Sequence, residues 1–151
     1  MSERIYDEKK ADAIIKVALG DLGKKEVPPA SNRGSLPKEA LNFVGLDEGL
    51  QWCAAVACLW IDKAGIKDGP RTGSTGALVA WGEKNGAIVT VPRRGDIGCL
   101  KDATSPTGYR HTVMVEHSED GVNVETIAGN ESNRVKRGKR AIADLTFVRP
   151  Y

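Results

Sequence analysis

Residues 51–64 read QWCAAVACLWIDKA, and the way this stretch must fold decides how the rest of the chain is parsed. From Trp52 to Ala64 almost every position is apolar, through Ala54, Val56, Ala57, Leu59, Trp60 and Ile61. A helix that is hydrophobic all round is buried all round, and Gly65 is a natural stop. The spacing predicts a central helix over 52–64, covered by other elements on every side. Upstream, Asp7 to Leu22 places Ile14, Ile15, Ala18, Leu19 and Leu22 at helical spacing before Gly23. Leu36 to Val44 reads as a short second helix with Pro37 in its first turn. Between them, VPPASNRGS (27–35) is a loop by its Pro, Gly, Ser and Asn content. Downstream, Thr75 to Lys84 reads as a fourth helix, with Ser74 as N-cap and Gly86 as stop.

After residue 86 the grammar changes. Ala87–Val91, Asp96–Leu100, His111–His117, Val122–Ile127 and Leu145–Val148 read as short strands. They are separated by Pro92, Gly95, DATSPTG (102–108), SEDG (118–121) and a basic stretch. Asp120–Gly121 between two alternating runs is a hairpin signal. Helices first and an antiparallel sheet second indicate an α+β fold. A length of 151 residues suits a single domain spanning 1–151.

Lys and Arg total 22 against 20 Asp and Glu, a net charge of +2. That is too mild to argue for nucleic acid, and no nucleic-acid-binding motif is present. The excess sits mainly in RVKRGKR, through Arg134, Lys136, Arg137, Lys139 and Arg140. This run is expected to be a solvated loop, with an anionic envelope polymer as its alternative partner. No apolar run approaches a membrane span, and MSERIYDEKK lacks the apolar region of a signal peptide. The expectation is a protein made in the cytoplasm, without a transmembrane segment and monomeric. Three cysteines in a chain of this size are expected to be free thiols rather than a disulfide framework.

Among them Cys53 stands out, because it opens the apolar helix. A thiol there faces unpaired backbone N–H groups and the positive end of the helix dipole, which favours thiolate. The alternative is a small buried apolar residue, which is how Cys58 and Cys99 are read. There are two histidines. His111 follows the flexible 102–108 loop and opens a strand, where a base can reach a cleft. His117 ends the same strand beside an acidic turn. Asn130, in TIAGN, is placed to fix the His111 tautomer, or else is a turn asparagine after Gly129. The order Cys, His, Asn, helix before sheet, is that of papain-like proteases. A zinc site finds no close ligand pairs among Cys53, Cys58, Cys99, His111 and His117.

The segments QWCAAVACLWIDKAGI, GALVAWGEKNG, VPRRGDIGCL, GYRHTVMVEH and VETIAGNESNRV together resemble a CHAP domain, the cysteine amidase/peptidase module related to NlpC/P60 enzymes. The loop SNRGSLPKEALNFVGLDEGLQWC resembles the phage endolysin-like branch. The resemblance implies a papain-like fold and cleavage of amide bonds in bacterial peptidoglycan without a cofactor. It implies Cys53 as nucleophile, His111 as base and Asn130 as the polar third residue. Many members carry a glutamate two residues before that asparagine, where this chain has Ala128, so a nearby carboxylate, Glu125 or Glu131, stays open as the third group. Asp47 and Glu48 supply too few oxygens for the calcium cage of some members. Gln51 is a candidate oxyanion donor and otherwise a solvated loop residue, and Asn32 and Arg33 are candidates for lining the cleft. A stem endopeptidase is the favoured activity. The alternatives are an N-acetylmuramoyl-L-alanine amidase and a catalytically inactive wall-binding domain. The resemblance also implies action on the wall after release through a holin-like pore or another export route.

Overall fold

A computed structural model describes residues 3–151. Four helices come first: α1 (Glu8–Gly20), α2 (Ser35–Phe43), α3 (Cys53–Lys63) and α4 (Thr75–Lys84). Six strands follow: β1 (Ile88–Val89), β2 (Ile97–Lys101), β3 (Tyr109–Ser118), β4 (Asn123–Glu131), β5 (Arg134–Ala141) and β6 (Leu145–Val148). They form one sheet in the order β1-β6-β2-β3-β4-β5, and every neighbouring pair is antiparallel. The fold is therefore α+β. No helix among the described residues is long and apolar enough to cross a membrane.

The all-apolar helix is the centre of the molecule. In α3, Ala54 through Ile61 are each 4% exposed or less. The helix is covered by α1 and α2 on one side and by β3 and β4 on the other. Ile97, Cys99, Met114, Ile127 and Val135 carry the sheet's side of this core. The opposite side chains of the same strands, Leu100, Val113, Val115 and Val124, join Phe147 in a second, smaller cluster. Period-two alternation thus supplies two cores from one sheet.

Two buried tryptophans frame α3, and each finds a carboxylate. Trp52 Nε1 donates to Glu26 Oε2 at 3.0 Å and Trp60 Nε1 donates to Asp21 Oδ2 at 2.8 Å. Glu26, itself 1% exposed, also accepts the backbone N–H of Asn32 through Oε1 at 2.9 Å. One carboxylate therefore ties the 27–35 loop to the residue just before Cys53. Glu26→Ala leaves two N–H groups without their acceptor, at about 1–3 kcal/mol each when buried. Urea unfolding is expected to show a loss of about 2–4 kcal/mol. Glu39→Ala breaks only a half-exposed pair with Lys63 and is expected to change stability by less than about 1 kcal/mol. Equal effects would contradict this account.

The basic run is not a loop. Arg134–Ala141 is strand β5, paired with β4 from Asn123↔Ala141 to Ala128↔Lys136. Val135 is buried in the main core while its neighbours are charged, the pattern of an edge strand that stays soluble. Continuous charge hid the alternation that would have marked a strand. β4 also runs on to Glu131 rather than stopping at Ile127, so Asn130 lies inside the strand rather than after it.

Candidate active site

Cys53 is the first residue of α3 and is 5% exposed. The backbone N–H groups of Ala54, in the first turn, and of Thr112, on β3, favour its ionised form. The Ala54 donor is free because a helix start leaves its first N–H groups unpaired. The helix is held against the sheet by Gly129, where an added Cβ would come within 2.5 Å of Val56 Cγ1 and 2.6 Å of Trp52 Cζ3. On the other flank Thr75, at the start of α4, shares a buried 2.8 Å hydroxyl–hydroxyl hydrogen bond with Thr112.

His111 lies next to Thr112 on β3, opposite Leu100 of β2, close enough to the Cys53 side chain for each to shift the other's ionisation. Its Nε2 sits 3.2 Å from Glu131 Oε1. The carboxylate also accepts Arg140 Nη2 on Oε1 at 2.7 Å. The four side chains form a chain: Cys53, His111, Glu131, Arg140.

The side chain that meets His111 is Glu131 and not Asn130, whose side chain makes no hydrogen bond with His111 among the described residues. The cause is a backbone irregularity. Counting on from Met114↔Ile127 would set residue 130 opposite residue 111. The β4–β5 register shifts between Ala128 and Glu131, however, and Asn130 takes the left-handed φ of 58°. A bulge re-aims the side chain that follows it. Asparagine is one of the few residues that accepts that φ, so Asn130 serves through its backbone. The adjacent Gly–Asn–Glu in sequence was the available signal, since Glu131 was the first carboxylate after the kink.

The charges of the site follow from this arrangement. Burial pushes the Cys53 thiol up, but the His111 ring and the two N–H donors outweigh it, and the thiol lies below its ordinary value of 9.0. Burial pushes His111 down, and Cys53 and Glu131 override it, so the ring is raised to about 9. Hydrogen bonding from His111, then from Arg140, overcomes burial and holds Glu131 down at about 2. The Cys53 and His111 shifts both act in the direction of a thiolate–imidazolium pair, with the Glu131 carboxylate behind it. The other two thiols lack this support: burial pushes Cys58 up to about 11 and Cys99 higher still.

Cys53 opens into a cleft of about 400 Å³. One wall is Gly73 to Gly76 at the start of α4, and the other is Ser105, Thr107, Tyr109 and Arg110. Gln51, exposed and two residues before the thiol, lines the same cleft. Asn32 and Arg33 do not. Glu48 accepts Arg33 Nη1 at 3.4 Å and the Gly34 N–H at 3.0 Å, and Glu26 holds Asn32, so the 27–35 loop is folded onto its own carboxylates. A second cavity of about 430 Å³ lies near Glu116, His117 and Glu125, without Cys53 or His111 in its lining. No group of three or more His, Cys, Asp or Glu able to hold a metal occurs among the described residues.

No protein-family model and no curated protein matches the sequence. Among solved structures, the crystal structure of Ly7917 superposes with a TM-score of 0.53 at 15% identity, over 93% of this chain and 62% of that one. The likeness is one of fold, and the chain spans less than two thirds of that neighbour. The structure of Ly7917 with the hydrolyzing product of MDP gives a TM-score of 0.48 at 15% identity.

Proposed function

We propose that this chain is a cysteine hydrolase of the CHAP kind, on a papain-like fold, that cleaves amide bonds in bacterial peptidoglycan. The observation that carries the reading is a thiol at a helix start that lines an open cleft, lowered by His111, which is itself backed by Glu131. The sequence resemblance supplies the substrate class. In the mechanism the Cys53 thiolate attacks an amide carbonyl. Gln51 and the Cys53 backbone N–H donate to the developing oxyanion. The His111 imidazolium protonates the leaving nitrogen, the C–N bond breaks to release the amine, and the acyl group remains on Cys53 as a thioester. His111, now neutral, draws a proton from water, and the hydroxide so formed displaces Cys53 and frees the acid. Glu131 keeps the ring oriented and its charge balanced throughout.

An endopeptidase acting within the stem is favoured over a sugar–peptide amidase. The cleft walls are rich in hydroxyls and backbone, a surface suited to an extended peptide. Tyr109 is the aromatic residue lining it, and its hydroxyl is engaged by Thr146 at 3.0 Å. Delivery of a cytoplasmically made lysin to the wall would need a holin-like pore or another export route. The test is digestion of purified peptidoglycan with fragment analysis by mass spectrometry. Shortened stems still attached to sugar are the expected products. Intact free stems beside bare glycan would make it an amidase, and no cleavage by folded protein would leave an inactive wall-binding domain.

A further inference from the structure

The basic run on β5 has no role in the mechanism above, yet one of its members reaches the site. We propose that Arg140 is a positioning residue that acts through Glu131, fixing the carboxylate against His111. The inference rests on the reading of Cys53, His111 and Glu131 as catalytic.

Three observations carry it. The Arg140 guanidinium donates to the same oxygen, Oε1, that faces His111 Nε2, at 2.7 Å against 3.2 Å. A carboxylate at the end of a flexible glutamate is thereby pinned by two donors from different strands. The pair is not a surface ion pair, since the side chains of Arg140 and Glu131 are 27% and 17% exposed. Finally, the strand is shaped to admit the carboxylate. Gly138 precedes Arg140 by two residues, on the same face of β5, and a Cβ there would stand 3.2 Å from Glu131 Oε2. Glycine leaves the space and arginine closes it.

Arg140 also counters proton theft. A neutral carboxyl would donate to the ring instead of accepting from it, and the guanidinium helps keep Glu131 ionised. The imidazolium proton then stays available for the leaving amine. The neighbouring Arg137 contrasts with this, because its guanidinium is taken by Glu116 at 2.9 and 3.0 Å. The part of the basic run that the sequence offers to an anionic polymer is reduced accordingly to Arg134, Lys136 and Lys139, all exposed.

The test is a double-mutant cycle read on two scales: kcat and KM for wall cleavage, and the alkylation rate of Cys53 by iodoacetamide at neutral pH. Arg140→Gln is expected to lower both kcat and the alkylation rate by about tenfold or more, with KM unchanged, as misorientation does. Arg140→Lys, which keeps a donor and a charge, is expected to recover most of the loss. Arg137→Gln is expected to match wild type. In a Glu131→Ala background, Arg140→Gln is expected to change neither rate by more than about twofold, because the group it acts through is gone. Additive losses in the double mutant, or a loss in KM alone, would overturn the proposal. The alkylation arm needs no wall substrate, so a wild type that fails to cleave peptidoglycan, but keeps this coupling, refutes the function and leaves the positioning role standing.

Discussion

Cys53→Ala is expected to reduce wall cleavage by at least about 10³-fold, with the folded state preserved. The size follows from the role: no other thiol can substitute. Cys58 sits in mid-helix with its sulfur turned to the Thr72 carbonyl at 3.5 Å, and Cys99 is wholly buried. Alanine fills the helix start without a clash, so thermal unfolding should stay near wild type. The same chemistry sets a pH window. Thiolate at Cys53 is present above a value depressed below 9.0, and imidazolium at His111 is present below about 9. Activity should therefore rise with pH as the thiol ionises, and fall as pH passes about 9 and the ring loses its proton. Iodoacetamide should label Cys53 first, at a pH where Cys58 and Cys99 remain protonated. Uniform labelling of the three, or lysis that survives Cys53→Ala, would remove Cys53 from the mechanism.

The parts of this fold that the sequence made legible are those with a strong local signal. An all-apolar run such as 52–64 has one physical solution, a buried helix, and α3 is that helix. Ser74 accepts the Ala77 N–H at the start of α4, as its position before the run implied. Asp120 accepts the Val122 and Asn123 N–H groups in the β3–β4 hairpin. Other features depended on contacts between distant segments. Strand β5 was hidden because its partner, β4, supplies the hydrogen bonds, while its own residues look like solvated charge. Asn32 and Arg33 were expected to line the cleft, but Glu26 and Glu48 fold their 27–35 loop elsewhere. The cleft wall they were expected to form is built instead by the start of α4, where Gly76 approaches Thr107 so closely that a side chain would collide.

The structure sets Glu131 rather than Asn130 against His111, and under the proposed mechanism this makes a discriminating prediction. Glu131→Ala is expected to lower kcat by roughly 10²–10⁴-fold, comparable with His111→Ala, because the ring loses both the acceptor that orients it and the charge that sustains the imidazolium. The alkaline limb should move to lower pH in the same variant, since Glu131 is one of the two groups that raise His111. Asn130→Gly should stay within about threefold of wild type, because glycine accepts a φ of 58° without strain. Asn130→Ala pays for the left-handed backbone, at about 1–2 kcal/mol, and should show that cost in stability rather than in kcat. The argument is one of register. Had β4 continued without its bulge, residue 130 would face the histidine and residue 131 would point to the other side of the sheet. The single extra residue sets a carboxylate against His111 where papain-like order suggests an asparagine, with the opposite electrostatics: an acceptor that is charged, that raises the ring, and that has Arg140 beside it. A severe loss in Asn130→Gly with a mild one in Glu131→Ala would restore the asparagine and refute the bulge as the device that builds this site.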